Sequence, residues 1–151
     1  MTHFQEKTIE KTYIALVAGK ITKKSGTLKS FLSKNTSGDY EKVSSSENGK
    51  EAITNYKVLE TYKNNVSLVE FSPLTGRMHQ IRVHASEMLS APILGDTKYG
   101  GTRSIITTLK HKRKLHLAAV LMRIKGLKGE DYELECPAPI HIHETIKQLS
   151  D

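Results

Sequence analysis

The stretch LVEFSPLTGRMHQIRVHASEMLSAPILGDTKYG, from Leu68 to Gly100, carries most of the information about the fold. It opens with an apolar strand pattern, passes through the turn residues Pro-Leu-Thr-Gly, and continues into a segment with helical periodicity. A helix that begins near Arg77 would bury one stripe of apolar residues: Met78, Ile81, Ala85 and Met88. A strand that leads through a turn into a helix is therefore the expected centre of the fold.

Polar side chains occupy the other faces of this predicted helix. Helical spacing aligns them in two rows, one of His79, Arg82 and Ser86, the other of Gln80, His84 and Glu87. Together with Arg77, the arginine of the first row could face a cleft that holds anionic groups. An amphipathic helix with a solvated basic face is the alternative, and periodicity alone favours it.

The flanking segments predict a sheet. Residues 4–17 alternate, with Tyr13 on one face, and residues 52–61 and 66–71 read as two strands joined by an Asn-Asn turn. Residues 115–124 and 132–136 read as further strands, and a helix is expected after Pro139 with apolar residues inward: Ile142, Ile146 and Leu149. The polar segment 23–50 predicts short edge strands and surface loops, with Asp39 in a turn.

Composition sets broad limits on the kind of protein. The chain has 151 residues, 37% of them hydrophobic, which is enough for one domain with a real core. Its 23 Lys+Arg against 16 Asp+Glu give a net charge of +7, which favours a polyanionic partner such as nucleic acid, although acidic membrane surfaces would also attract it. The Lys110–Lys114 run fits either a phosphate contact, through Lys112 and Arg113, or a solvated loop.

Cysteine usage and hydropathy indicate the compartment. Cys136 is the one cysteine, so an internal disulfide is impossible and a reducing environment is expected, with Cys136 as a small core residue. No apolar run is long enough to span a bilayer and the N-terminus lacks a signal peptide pattern, so we expect a cytoplasmic protein without membrane contact. His141 and His143 are too few ligands for a zinc site, and we expect no metal.

Two linked motifs resemble a known family. The order L-T-G-R-x-H-Q-I-R-V-H at Leu74–His84, followed by P-I-x-G-D-x-x-Y-G at Pro92–Gly100, is similar to the signature of the RluA/RluC-type RNA pseudouridine synthases. The segments K-x-Y-x-A-x-V-x-G at Lys11–Gly19 and A-x-T-x-Y-x-V-L at Ala52–Leu59 are also similar to that family. The residues from Leu115 to Leu121 approximate its L-H-A-x-x-L, with Leu117 in place of the usual alanine.

The resemblance implies a fold and a reaction. The fold is α+β, a mixed and mainly antiparallel sheet with packed helices and an RNA cleft across it. The reaction is the isomerisation of uridine to pseudouridine in RNA, with ribosomal RNA as the expected substrate and without a cofactor. In that reaction an aspartate attacks the nucleoside, the glycosidic C–N bond breaks, the base rotates and a C–C bond forms.

The resemblance also implies roles for single residues. Arg82 would pair with the aspartate and keep it ionised, and the flipped uridine would stack on Tyr13, which could help to remove the C5 proton. Arg77 would hold neighbouring backbone or a phosphate. His79, Gln80 and His84 would contribute to the cleft that receives RNA.

One family motif is missing from these residues. No His-Arg-Leu-Asp occurs, and the aspartates of the chain are Asp39, Asp96, Asp131 and Asp151. We therefore expect residues 1–151 to be one domain, the C-terminal part of a synthase catalytic domain without its S4 module, and inactive alone. A missing N-terminal segment or a separate chain would supply the aspartate. The alternative is a non-catalytic RNA-binding remnant or split-gene subunit.

Overall fold

A seven-stranded sheet is the frame of the molecule, which a computed structural model describes over residues 8–127 and 129–151. The strands are β1 (Thr8–Ala18), β2 (Ser25–Ser37), β3 (Tyr40–Ser45), β4 (Lys50–Tyr62), β5 (Val66–Pro73), β6 (Leu117–Leu127) and β7 (Glu130–Glu135). The α-helices are α1 (Gln80–Val83), α2 (Thr97–Gly100) and α3 (Ile140–Ser150), and a π-helical turn at His84–Met88 extends α1.

The strands lie in the order β3-β2-β4-β5-β1-β6-β7, and each pair of neighbours among them is antiparallel. Short helices pack on this sheet, so the predicted α+β class with a mainly antiparallel sheet is confirmed. β1 lies between β5 and β6, and its last buried residues, Ala15, Leu16 and Val17, are fully inaccessible to solvent. β1 is therefore an interior strand of the sheet, and it is buried near its C-terminal end.

The core occupies both faces of the sheet because side chains alternate along each strand. Ala15 and Val17 pack on one face with Phe71, and Ile81 and Ala85 cover that face from α1 and the π-helical turn. The opposite face carries the C-terminal helix, where these residues pack together: Leu16, Val66, Leu94, Leu109, Ile142 and Leu149. The apolar face predicted for the last helix is thus confirmed, with Ile146 partly buried beside it.

The predicted hairpin between β4 and β5 is also confirmed. Its turn is the short 3₁₀ segment Lys63–Asn65, in which Asn64 and Asn65 adopt positive φ angles of 64° and 54°. Asparagine tolerates this left-handed backbone better than most residues do. The Asn-Asn pair therefore specifies the turn that delivers β5 to the central segment.

Four expectations about local structure were wrong. Segment 23–50 contains the 13-residue β2, which pairs with both β3 and β4, instead of only short strands and loops. Met78 and Met88 are 43% and 42% exposed, because α1 begins only at Gln80 and the wider π-helical turn rotates the stripe after Ala85. Cys136 is exposed, because it follows β7, an edge strand whose residues are all exposed.

His116 is buried where β6 begins and joins that strand to α3. Its Nδ1 donates to the carbonyl of Lys114 at 2.6 Å, and its Nε2 is 2.8 Å from the hydroxyl of Thr145. The carbonyl can only accept, so Nδ1 carries the proton of the neutral ring and Nε2 accepts from the Thr145 hydroxyl. Burial lowers the pKa of His116 from 6.5 to about 4.

Acidification is therefore expected to destabilise the fold. Because the pKa of His116 is lower in the folded chain, the unfolded chain binds the proton more readily, and stability falls as the pH drops from 6.5 towards 4. Over this pH range the free energy of unfolding should fall by roughly 3 kcal/mol. Urea titration at several pH values measures this change. His116→Asn should flatten this pH dependence, whereas His143→Asn, on the exposed side of α3, should keep it. Equal slopes in both variants would contradict the assignment.

Candidate active site

A cavity of about 470 Å³ opens where the first half of β1, the end of β5 and α1 meet. Its polar and charged lining includes Lys11, Tyr13, Arg77, His79, Gln80 and Arg82. Ile9, Leu74, Ile81 and Leu117 contribute apolar walls. This volume and this mixture are typical of sites that bind a small molecule or one unit of a polymer.

β1 contributes one face of its alternating pattern to the cavity. Ile9, Lys11 and Tyr13 all lie on that face, as the spacing predicts. At Tyr13 the register with β6 shifts: Thr12 pairs with Leu121 and Tyr13 pairs with Ala119, so one residue of β6 is extra. Such a bulge redirects side chains and increases local twist. The irregularity therefore lies at the residue that we expect to contact the base.

Gln80 braces the turn that closes the cavity. Its side-chain oxygen accepts hydrogen bonds from the Thr75 hydroxyl at 2.8 Å and the Arg77 amide at 3.0 Å. Its amide nitrogen donates to the Ile53 carbonyl and the Thr54 hydroxyl, at 2.9 and 2.8 Å. Gln80 is 4% exposed, so it shapes the cavity wall from behind and its polar atoms are used within the protein.

His84 is not part of the cleft, contrary to the prediction from the sequence. It is fully buried, with Nε2 at 2.9 Å from the Ser30 hydroxyl and Nδ1 at 2.8 Å from the Thr54 hydroxyl. Burial lowers its pKa, which favours the neutral ring. His84 therefore joins the helical segment to β2 and β4, and it has no exposed surface for RNA.

Arg82 forms a two-point ion pair with Asp96. Its Nε donates to one carboxylate oxygen at 3.0 Å and its Nη2 donates to the other at 2.7 Å. The Asp96 side chain is fully buried and the Arg82 side chain is 19% exposed, so the guanidinium reaches the cavity and the carboxylate does not. The hydrogen bonds that the Asp96 carboxylate accepts raise the pKa of Arg82. The partner of Arg82 within this chain is thus the aspartate of the G-D turn.

Tyr99 packs against this ion pair. No role for Tyr99 was predicted from the sequence. Its ring centroid lies 5.0 Å from the Arg82 guanidinium carbon, and its hydroxyl is 2.6 Å from His79 Nδ1 and accepts from the Val43 amide at 3.1 Å. Asp96 caps α2 by accepting a hydrogen bond from the Tyr99 amide at 3.3 Å. The D-x-x-Y spacing could have indicated this cap, because a capping aspartate bonds to an amide two or three residues later.

His79 stands at the mouth of this network in an unusual conformation. Its φ of 53° places a residue with a side chain in the left-handed region, immediately before α1. Burial, and then the positive charge of Arg82, lower the pKa of its ring. A neutral imidazole is therefore held against Tyr99 beside the cavity.

Both polar rows predicted for the helix occur in the structure. The first row faces α2. His79 and Arg82 reach Tyr99, and the Ser86 hydroxyl donates to the Tyr99 carbonyl at 2.6 Å. The second row faces β2, β3 and β4: Gln80 and His84 reach Thr54, and Glu87 accepts from the Ser45 hydroxyl at 2.7 Å. The two rows fix α1 between the sheet and the G-D turn.

The other basic residues predicted to contact RNA lie in two separate places. Arg77 lines the cavity and its Nε donates to the Glu51 carbonyl at 2.8 Å, so it holds neighbouring backbone. Lys112 and Arg113 lie in the turn before β6 and do not line the cavity. That turn is held to α3, because Glu144 accepts from Lys110 Nζ at 3.2 Å and lies 3.1 Å from His111 Nε2.

The described lining of the cavity contains no aspartate or glutamate. Asp39 is in the turn between β2 and β3, as expected, and Asp131 is on β7. Among residues 8–127 and 129–151, no three His, Cys, Asp or Glu side chains are placed to hold a metal ion. Over the same residues, no helix has the length and hydropathy that a bilayer crossing requires.

Comparisons with known proteins agree with these features. The family model for RNA pseudouridylate synthase matches residues 1–87. Ribosomal large subunit pseudouridine synthase C of Rickettsia conorii is 43% identical over 140 residues, which cover 91% of this chain and 45% of that protein. The protein of the same name from Rickettsia bellii is 39% identical over 142 residues, covering 93% of this chain and 46% of that protein. The chain thus spans less than half the length of these curated relatives.

Two solved human structures share the fold. RNA Pseudouridylate Synthase Domain Containing 4 superposes with a TM-score of 0.72 at 28% identity, over 94% of this chain and 62% of that one. RNA Pseudouridylate Synthase Domain Containing 1 gives a TM-score of 0.70 at 31% identity, over 90% of this chain and 57% of that one. With the family match over more than half of its residues, the chain belongs to the RNA pseudouridylate synthases and resembles their RluA/RluC-type members.

Proposed function

We propose that this chain is the C-terminal part of the catalytic domain of a cytoplasmic RNA pseudouridine synthase, which isomerises uridine in large-subunit ribosomal RNA. The observation that carries the proposal is the cavity that Tyr13 and Arg82 both line, since β1 and α1 bring two residues far apart in sequence to one cavity. The relatives named ribosomal large subunit pseudouridine synthase C support ribosomal RNA as the substrate. Isomerisation needs no cofactor, because the released base is itself the reagent.

In this proposal different residues of the cavity bind the base and the phosphates. The uracil ring lies against Tyr13, and Lys11 and Arg77 attract the phosphates of the flipped nucleotide. The bond between C1′ and N1 breaks, the bond between C1′ and C5 forms, and the C5 proton leaves while N1 gains one. Tyr13 then assists in removing the C5 proton.

The nucleophilic aspartate must come from outside residues 1–151. Asp96 cannot take that role, because its side chain is fully buried and both oxygens accept hydrogen bonds from Arg82. Arg82 can nevertheless hold a second carboxylate, since a guanidinium has five N–H donors and the contacts to Asp96 use two. A segment that carries His-Arg-Leu-Asp would place its aspartate against the exposed edge of Arg82.

The test is complementation by that segment. This chain alone should not convert uridine, whereas the chain co-expressed with an N-terminal segment carrying His-Arg-Leu-Asp should do so, because only the assembly contains the nucleophile. Release of tritium from [5-³H]uridine-labelled ribosomal RNA measures the reaction, since the C5 hydrogen is lost. Changing the aspartate of the added segment to asparagine is the control.

The second candidate function is RNA binding without catalysis. The absence of a carboxylate from the described lining of a basic cavity favours it. Binding of ribosomal RNA without tritium release, both alone and with the segment, would support the non-catalytic role. Tritium release by the chain alone would contradict our assignment of the nucleophile.

A further inference from the structure

A second cavity, of about 410 Å³, adjoins the first. Both are lined by Gly76 and Arg77, so the loop between β5 and α1 separates them. The first cavity extends to β1, whereas the second extends to β2, β3 and the start of β4. A β-carbon added to Gly76 would meet no atom within 4 Å, which shows that the space beside this loop is open.

The second cavity has a cationic rim. Lys34, Lys50 and Arg77 line it, and its described lining contains no acidic residue. Lys34 is partly engaged, because its Nζ lies 3.1 Å from Glu41, but Lys50 is exposed and forms no ion pair within the described part of the chain. The carboxylate of Glu51 is directed to Lys29 at 3.3 Å, so it does not neutralise Arg77. A phosphate at this rim would meet positive charge.

The floor of the second cavity is apolar. Leu32 and Val43 are 4% and 3% exposed and belong to one buried cluster, whereas Met78 also lines the cavity and is 43% exposed. An exposed methionine beside an apolar floor is a suitable contact for a flat aromatic ring, because its sulfur is polarizable and its side chain adapts. The exposed side chain of Met78, which the helical stripe did not predict, therefore offers an apolar contact surface in this cavity.

We propose that this second cavity binds the nucleotide next to the target uridine in single-stranded RNA. The base of that nucleotide lies against Met78, and its phosphate lies between Lys50 and Arg77. The inference rests on the proposed function, because it takes the first cavity as the uridine site. It adds that the chain recognises at least two consecutive nucleotides, one on each side of the Gly76–Arg77 loop.

Two probes of different length test the proposal: uridine 5′-monophosphate, which fills one site, and the dinucleotide pUpU, which can fill both. The dinucleotide should bind several-fold more tightly than the mononucleotide. Lys50→Ala should remove most of that gain and lower the salt dependence of dinucleotide affinity by about 0.7 log units per log unit of salt, the share of one phosphate contact on a single strand. Lys57→Ala is the matched control, because Lys57 is exposed on the same strand and lines neither cavity.

NMR of the intact chain separates failure of this proposal from failure of the proposed function. The dinucleotide should shift the methyl signal of Met78 and the ring signals of Tyr13, and leave Met88 unchanged, because Met88 lines neither cavity. Shifts at Tyr13 without shifts at Met78, or equal losses in Lys50→Ala and Lys57→Ala, would overturn the second site and leave the first. No shift at either residue would overturn both.

Discussion

Asp96→Ala is expected to lower the free energy of unfolding by about 3–5 kcal/mol, the usual result of removing one partner of a buried ion pair. The Asp96 side chain is fully buried, and its oxygens accept from Arg82 Nε, Arg82 Nη2 and the Tyr99 amide. Alanine would leave the largely buried guanidinium without its counter-charge and would remove the cap of α2. Urea unfolding followed by circular dichroism measures the effect.

Two further variants show which part of Asp96 matters. Asp96→Asn keeps an acceptor for the Tyr99 amide but loses the charge, so we expect a smaller loss of stability than with alanine. The double variant Arg82→Met with Asp96→Leu removes both charges and should recover much of the stability. A loss below about 1 kcal/mol in Asp96→Ala would be typical of a surface pair and would contradict the buried ion pair.

Arg82→Ala is expected to lower the rate of the chemical step by roughly 10² to 10⁴, as the loss of a positioned catalytic partner does. The measurement is single-turnover tritium release by the complemented protein at saturating enzyme. Arg82→Lys should also be slow, because an ammonium group keeps the charge but loses the planar geometry that holds two acceptors. Affinity for RNA should change much less, since one arginine is a small part of a basic chain with net charge +7.

The comparison variant is Lys112→Ala, in the turn before β6 and away from the cavity. It should weaken RNA binding slightly and leave the single-turnover rate unchanged. Circular dichroism at the assay temperature should show that each variant is folded, since Arg82→Ala also leaves Asp96 without its partner. A normal single-turnover rate in folded Arg82→Ala, with reduced affinity alone, would move the catalytic role to Arg77.

Local patterns in the sequence predicted the parts of the fold that depend on neighbours along the chain. The alternation around Tyr13, the Asn64-Asn65 turn and the two polar rows of α1 all follow from strand and helix spacing. The exposure of Met78 and Met88 did not follow, because it depends on where the helix begins and on a π-helical turn. Periodicity contains no signal for either feature.

The sequence predicted which residues line the candidate site better than it predicted which residues they contact. Arg82, Tyr13, Arg77 and His79 do line one cavity, although their roles stay predictions. His84 belongs to the same motif but faces β2 and β4, since only the packed sheet decides which row points inward. The partnership of Arg82 with Asp96 depends on the path of the chain between them, and this path could not be read from spacing.

The central position of β1 has a consequence for how the protein is made. Tyr13 pairs with Phe71 on one side and with Ala119 on the other, so β1 leaves the ribosome well before the second of its two partner strands. The β4–β5 hairpin, closed by a three-residue turn, can form long before that. A nascent chain that ends before β6 therefore exposes one hydrogen-bonding edge of β1, which makes this intermediate prone to aggregation. The cavity wall that contains Tyr13 is therefore complete only after β6 has been translated.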